Sequence, residues 1–102
     1  MFKVFISVGM HNRSTEDVIV DIERARNKIS RIYRGCGNLQ IIDNFNCDAP
    51  ENASRLYYLG EAIKKLGECD VCYFCKGWQN HKGCLIEMEI CKLYRIDMIE
   101  EQ

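Results

Sequence analysis

The sequence predicts a doubly wound α/β domain on a four-stranded parallel sheet, and three observations carry that reading. Short apolar runs at Lys3–Val8, Leu39–Asp43, Asp70–Cys75 and Ile96–Ile99 alternate with longer segments of helical spacing, giving the order β-α-β-α-β-α-β. The first three runs are apolar at successive positions, as strands covered on both faces require. Right-handed crossovers then predict the strand order 2-1-3-4, a flavodoxin- or Rossmann-like arrangement with its switch point between strands one and three. Residues 1–102 are expected to form one domain, large enough for a single core.

Each element has its own local signals. After strand one, Gly9-Met10-His11-Asn12-Arg13 reads as a loop, and Ser14 as an N-cap with Asp17 three residues on. Val18, Ile22, Ala25, Ile29 and Ile32 keep helical spacing to about Arg34, where Gly35-Cys36-Gly37 ends the helix. Asn44 to Arg55 is a long polar loop holding the only proline, Pro50. Leu56, Leu59, Ile63 and Leu66 mark a second helix ending near Gly67. The third helix runs from about Gly83 to Arg95, after the loop Lys76–Lys82.

Composition excludes several classes. A formal charge of −1, from 14 basic and 15 acidic residues with no basic tract, gives no electrostatic basis for binding nucleic acid. The apolar start Met1–Ile6 is too short for a signal peptide or a membrane span, so a cytoplasmic protein with no membrane association is expected. Seven cysteines invite a metal reading, sharpest at Cys69-x-x-Cys72-x-x-Cys75. Alternation along a strand would turn Cys69 and Cys75 away from Cys72, so the three thiols cannot meet on one cluster. Reduced cysteines packed as small hydrophobes, with no metal and no cofactor, are the expectation.

The most informative stretch is Gly83-Cys84-Leu85-Ile86-Glu87. Counting by three and four puts Glu87 on one face with Gly83, Ile90, Cys91 and Tyr94, an apolar face. An inward carboxylate near a helix N-terminus is costly without a partner or a task, and the helix dipole there favours its charged form. It is either a Glu that caps its helix or pairs with a base, or an anionic nucleophile at the carboxyl edge of the sheet. The predicted topology brings the loop after strand one, Ser7-Val8-Gly9-Met10, to the same edge.

Val4–Met10 in strand one, Asp70–Phe74 in strand three and Gly83–Glu87 resemble the nucleoside 2-deoxyribosyltransferase-like superfamily, in particular its small bacterial and phage branch. The likeness runs through nearly the whole chain, including Asp48-Ala49-Pro50 and Tyr57-Tyr58-Leu59-Gly60. In that superfamily a helix-borne Glu four residues after a Gly attacks the anomeric carbon of a nucleoside, and the resulting glycosyl-enzyme passes to another base or to water. The resemblance assigns that role to Glu87, with Gly83 in the matching place, and sugar or phosphate binding to the backbone of Ser7–Met10. It implies a nucleoside or nucleotide ligand. Two positions depart: the Asp six residues before the nucleophile is His81 here, and the Asp eight residues before the strand-three Asp is Ala62. Both aspartates hold and protonate the departing base. Glu89 replaces a small residue, and four strands stand where the full domain has five.

Other candidates carry paired readings. His81 is a replacement acid/base or an exposed loop histidine. Trp78, Tyr57 and Tyr58 stack on a base or pack the core. Asp70 touches ligand or orients backbone at its strand's start. Asp43, Asn44 and Asp48 bond a ribose or face solvent. His11 and Arg13 form an anion site or a solvated loop. The third helix is apolar over more of its girth than one sheet covers, which predicts a homo-oligomer. Two functions follow: an N-glycosidase or deoxyribosyltransferase using Glu87, or a non-catalytic binding protein for a nucleotide-derived metabolite or signal.

Overall fold

The computed structural model describes residues 1–45 and 48–102. It contains β1 (Phe2–Ser7), α1 (Thr15–Ile32), β2 (Leu39–Ile42), α2 (Arg55–Leu66), β3 (Val71–Phe74), α3 (Lys82–Tyr94) and β4 (Asp97–Glu100), with a single 3-10 turn at Trp78–Asn80. All strand pairs are parallel, in the expected order β2-β1-β3-β4. Asn46 and Cys47, which belong to the predicted polar loop and to the cysteine set, lie outside the described residues.

Alternation along β1 and β3 divides the core into two layers. Val4, Ile6 and Val8 face α1 together with Val71, Tyr73 and Cys75, and meet Val18, Ile22, Ala25 and Ile29 of that helix. Phe5, Cys72 and Phe74 face the other way, against Ala62 and Leu66 of α2 and Met88 and Cys91 of α3. The register pairs Val4 with Val71 and Ser7 with Phe74, so the carboxyl ends of the two central strands finish level. α1 and α2 begin as their sequences dictate. Ser14 Oγ accepts from Asp17 N–H at 3.1 Å, and Ser54 Oγ from Tyr57 N–H at 3.1 Å.

Three expectations are corrected here. Cys69 packs on the same layer as Cys72, because the strand starts only at Val71 and Cys69 closes α2, its thiol donating to Lys65 C=O at 3.2 Å. Cys75 alone faces the opposite layer. Tyr94 is 76% exposed, since it ends α3 just before the chain reverses at Arg95 (φ 57°). β4 sits at the sheet edge, largely exposed, one residue later than its sequence suggested. The described cysteines are free thiols, and among the described residues no helix is long and apolar enough to cross a membrane.

Glu101, just past β4, gave no signal in the sequence. Its side chain is fully buried and accepts from Arg24 Nε (2.9 Å) and Nη2 (2.7 Å), Tyr73 Oη (3.0 Å), Lys76 N–H (2.9 Å) and Lys28 Nζ (3.1 Å). Burial alone would raise its pKa, but these donors outweigh burial and hold the carboxyl far below the usual range. Its backbone N–H also donates to Phe74 C=O at 2.9 Å, continuing the sheet ladder. Glu101→Gln is therefore expected to lower unfolding free energy by about 2–3 kcal/mol near neutrality. A carboxyl depressed in the folded state stabilises above its unfolded pKa and loses that contribution in acid. The gap between wild type and variant should thus be full above about pH 5 and shrink below about pH 4 in urea titrations. A gap that persists unchanged in acid would contradict it.

Candidate functional site

The parity of β1 turns Ser7, its last residue, toward α3 rather than α1. α3 presents Cys84, Glu87, Met88 and Cys91 to the sheet, the i, i+3, i+4, i+7 stripe of an inward helix face. The two meet: Ser7 Oγ donates to Glu87 Oε1 at 2.6 Å, with Ser7 1% and Glu87 5% exposed. Burial raises the Glu87 carboxyl to about 7, and the Ser7 hydrogen bond opposes only part of that rise. Desolvation thus outweighs the helix-dipole preference for charge, and the group is poised between its two forms at neutral pH. Cys84, one turn earlier, is buried beside it, and burial pushes its thiol up to about 11.

His81 stands at the N-cap of α3 and is half-buried, against the loop after β1. A Cβ on Gly9 would collide with the imidazole carbons and Nε2, so a glycine is what lets loop and ring close on each other. Gly77, at φ 85°, makes the turn that brings the chain from β3 to this position. Burial lowers the His81 pKa, and the nearby charges of Arg13 and His11 lower it further, so the ring is neutral at pH 7.

Glu87 and His81 both line a cleft of about 800 Å3 at the carboxyl edge of the sheet, between α2 and α3. Gly9, Met10, Gly83 and Ala62 line it too, while Ser7 lies beneath Glu87 as its support. Three sequence candidates lie elsewhere. Asp70 is at the amino end of β3, the far edge of the sheet, where its carboxylate accepts from Lys3 N–H at 2.8 Å. Asp43 turns toward α1, bonded to Arg26 Nη2 (2.7 Å) and Phe45 N–H (2.9 Å). Trp78 packs on Phe74 with ring centroids 5.5 Å apart. Asn44 borders the cleft but is held by Tyr58 C=O (2.9 Å) and Lys65 Nζ (2.7 Å). Arg13 is likewise held, bonded to Gly9 C=O and paired with Asp21, leaving His11 as the cleft-lining member of that pair.

Sequence reasoning missed Arg55, Leu56, Lys82 and Ile86 as cleft residues. Arg55 and Lys82 are the first residues of α2 and α3, and helices of a parallel sheet start at its carboxyl edge. That rule was available as a signal. Among the described residues, no three His, Cys, Asp or Glu side chains converge in a metal-binding group. Comparison of the chain with family models, with curated proteins and with solved structures finds no match.

A carboxyl raised in the folded state holds a proton that the unfolded chain releases between about pH 4.5 and 7. Stability should therefore fall as pH rises through that window, by roughly 3 kcal/mol for a shift of this size. Glu87→Gln keeps the Ser7 hydrogen bond and has no proton to lose. Urea unfolding at pH 5 and pH 8 is expected to show wild type losing stability relative to the variant as pH rises; parallel behaviour would contradict the buried, raised carboxyl.

Proposed function

We propose that the cleft takes a nucleoside or nucleotide and that Glu87 is the nucleophile of an N-glycosidase or deoxyribosyl-transfer reaction. The observation that carries this reading is Glu87 itself, a buried carboxylate on the floor of a ligand-sized cleft, supported by Ser7 and accompanied by neutral His81. The resemblance to the nucleoside 2-deoxyribosyltransferase-like superfamily points the same way, with Glu87 in the nucleophile's place.

The chemistry suits the groups. In the first step Glu87 Oε bonds C1′ as the C1′–N bond breaks; the bonding pair leaves with the base, which takes up a proton from cleft water. In the second step water or another base displaces Glu87, and neutral His81 accepts the proton that attacking water loses. A carboxyl near 7 supplies the required anion at neutral pH and above.

The cleft mouth favours a phosphorylated ligand over a free nucleoside. Arg55, Lys82 and His11 border it; among the described residues Arg55 and Lys82 make no ion pair and Glu87 is the only acidic residue lining it. A binding-only protein is the second reading, favoured by one observation: the two places where the superfamily carries base-handling aspartates line this cleft as His81 and Ala62.

One experiment separates them. The protein is incubated with 2′-deoxynucleosides and their 5′-monophosphates, following free base and retained ligand. Wild type is expected to release base, preferring monophosphates, and Glu87→Gln to bind ligand while losing several orders of magnitude in rate. Retention without release would leave the binding reading, and neither would sink both. The preference for monophosphate should drop about tenfold in Lys82→Ala if that residue meets the phosphate.

Self-association also belongs to this reading. Leu93 is 70% and Tyr94 76% exposed on the outer side of α3, with Leu85 and Met98 also exposed. Sedimentation at tens of micromolar, on the order of assay concentrations, is expected to show at least a dimer; a monomer there would count against it.

A further inference from the structure

Arg13 touches no ligand-facing volume, yet its guanidinium bonds the backbone of the loop that does. Nη1 donates to Gly9 C=O at 2.8 Å, and Nη2 pairs with Asp21 Oδ2 at 2.7 Å. The other oxygen of Asp21 takes Arg24 Nη1 at 2.8 Å. Arg24 then binds both oxygens of Glu101, which in turn accepts Lys76 N–H at 2.9 Å. The chain of alternating charges thus runs from Gly9, in the loop after β1, to Lys76, in the loop after β3. Five residues beyond Lys76 stands His81, whose ring rests back on Gly9. The circuit is closed.

We propose that Arg13 and Glu101 are positioning residues whose charged chain braces the loop after β1 against the loop after β3 and so seats the His81 ring. Asp21 and Arg24, one turn apart on α1, are the middle of the brace. Each link is a charge-assisted hydrogen bond, and Arg24 holds Glu101 through two nitrogens, the geometry that fixes direction as well as distance. The Glu101 end is fully buried and screened little by salt. A brace made only for stability need not join the two loops that border the cleft.

The consequence is measurable on His81 whether or not the protein turns over a substrate. The ionisable groups around His81 are Arg13 and His11 of the first loop, Lys82 and Glu87 of α3, and Arg55 of α2. Burial is the first cause of its lowered pKa and Arg13 the second. Removing the Glu101 carboxylate would, through its field alone, make His81 harder to protonate. Releasing the brace would wet the ring and make it easier to protonate. The two effects have opposite signs.

The test is an NMR pH titration of His81 in the full chain, with amide exchange of Gly9–His11 and Gly77–His81, for wild type, Arg13→Ala, Arg13→Lys and Glu101→Gln. In Arg13→Ala and Glu101→Gln the His81 titration is expected to move up toward the ordinary histidine range. Exchange in both loops should rise together, by about tenfold or more for a lost charged hydrogen bond. Arg13→Lys keeps the charge but not the two-armed geometry, so its His81 should fall between wild type and Arg13→Ala. A downward move in Glu101→Gln would overturn the brace, as would loosening of the first loop alone. If Glu101→Gln does not fold, Arg13→Lys decides, because Arg13→Ala also removes a charge that by itself lowers His81: an unmoved His81 with unchanged exchange in folded Arg13→Lys overturns it.

Discussion

The two-residue period of β1 is the constraint on which the rest depends. Val4, Ile6 and Val8 must meet α1, and that parity leaves Phe5 and Ser7 for the other face. Slipping the strand by one residue would present Ser7 to Ile22 and Val18 and turn Ile6 and Val8 toward Glu87. The buried carboxyl would then lose its donor in an apolar layer, a cost of about 1–3 kcal/mol and a sizeable part of a small domain's margin. Sheet register, hydrophobic layering and the Ser7–Glu87 hydrogen bond are therefore one specification.

That constraint explains why so much was legible in the sequence. Unbroken apolar runs required a sheet covered on both sides, and helical spacing between them required crossovers, which leaves few topologies. Glu87 could be singled out because a carboxylate on an inward helical stripe contradicts its surroundings. Gly9 was found only as part of a loop; its reason, the ring of His81 against its Cα, needs tertiary structure. For Asp43 and Trp78 two readings stood side by side in the sequence, because being near the carboxyl edge says nothing of which layer a side chain joins. Asp43 was drawn away by Arg26, and Trp78 by Phe74. Glu101 was invisible for another reason. Five donors from α1, β3 and the following loop converge on it, and no local pattern encodes such convergence.

Glu87 and Glu101 are both removed from water, yet their environments push them in opposite directions. Glu101 has a guanidinium, an ammonium, a phenol and a backbone N–H, enough to offset desolvation and keep it ionised. Glu87 has one neutral hydroxyl, which cannot. A fold aiming only at stability would give Glu87 a cation or replace it with an apolar residue. Leaving it with one weak donor keeps its free energy high in the charged state, where a nucleophile or a base is useful. The cations are near enough to supply it: Arg13 lies in the adjoining loop, but its guanidinium is taken by Gly9 and Asp21.

This division separates charge that holds the frame from charge left uncompensated in the cleft. On the α1 side, Arg13, Asp21, Arg24 and Glu101 neutralise one another and fix backbone. On the α2–α3 side, Glu87 and His81 share a partly desolvated space, and burial raises the carboxyl to about 7 and lowers the imidazole below its ordinary value. Burial thus pushes both groups toward their neutral forms, which under the proposed reaction leaves the imidazole able to accept a proton and the carboxylate, once formed, with no cation to quench it. The raised carboxyl also limits the arrangement. Acid protonates Glu87 before it protonates the whole frame, so a reaction through this carboxylate should fade while the fold, anchored by Glu101, persists.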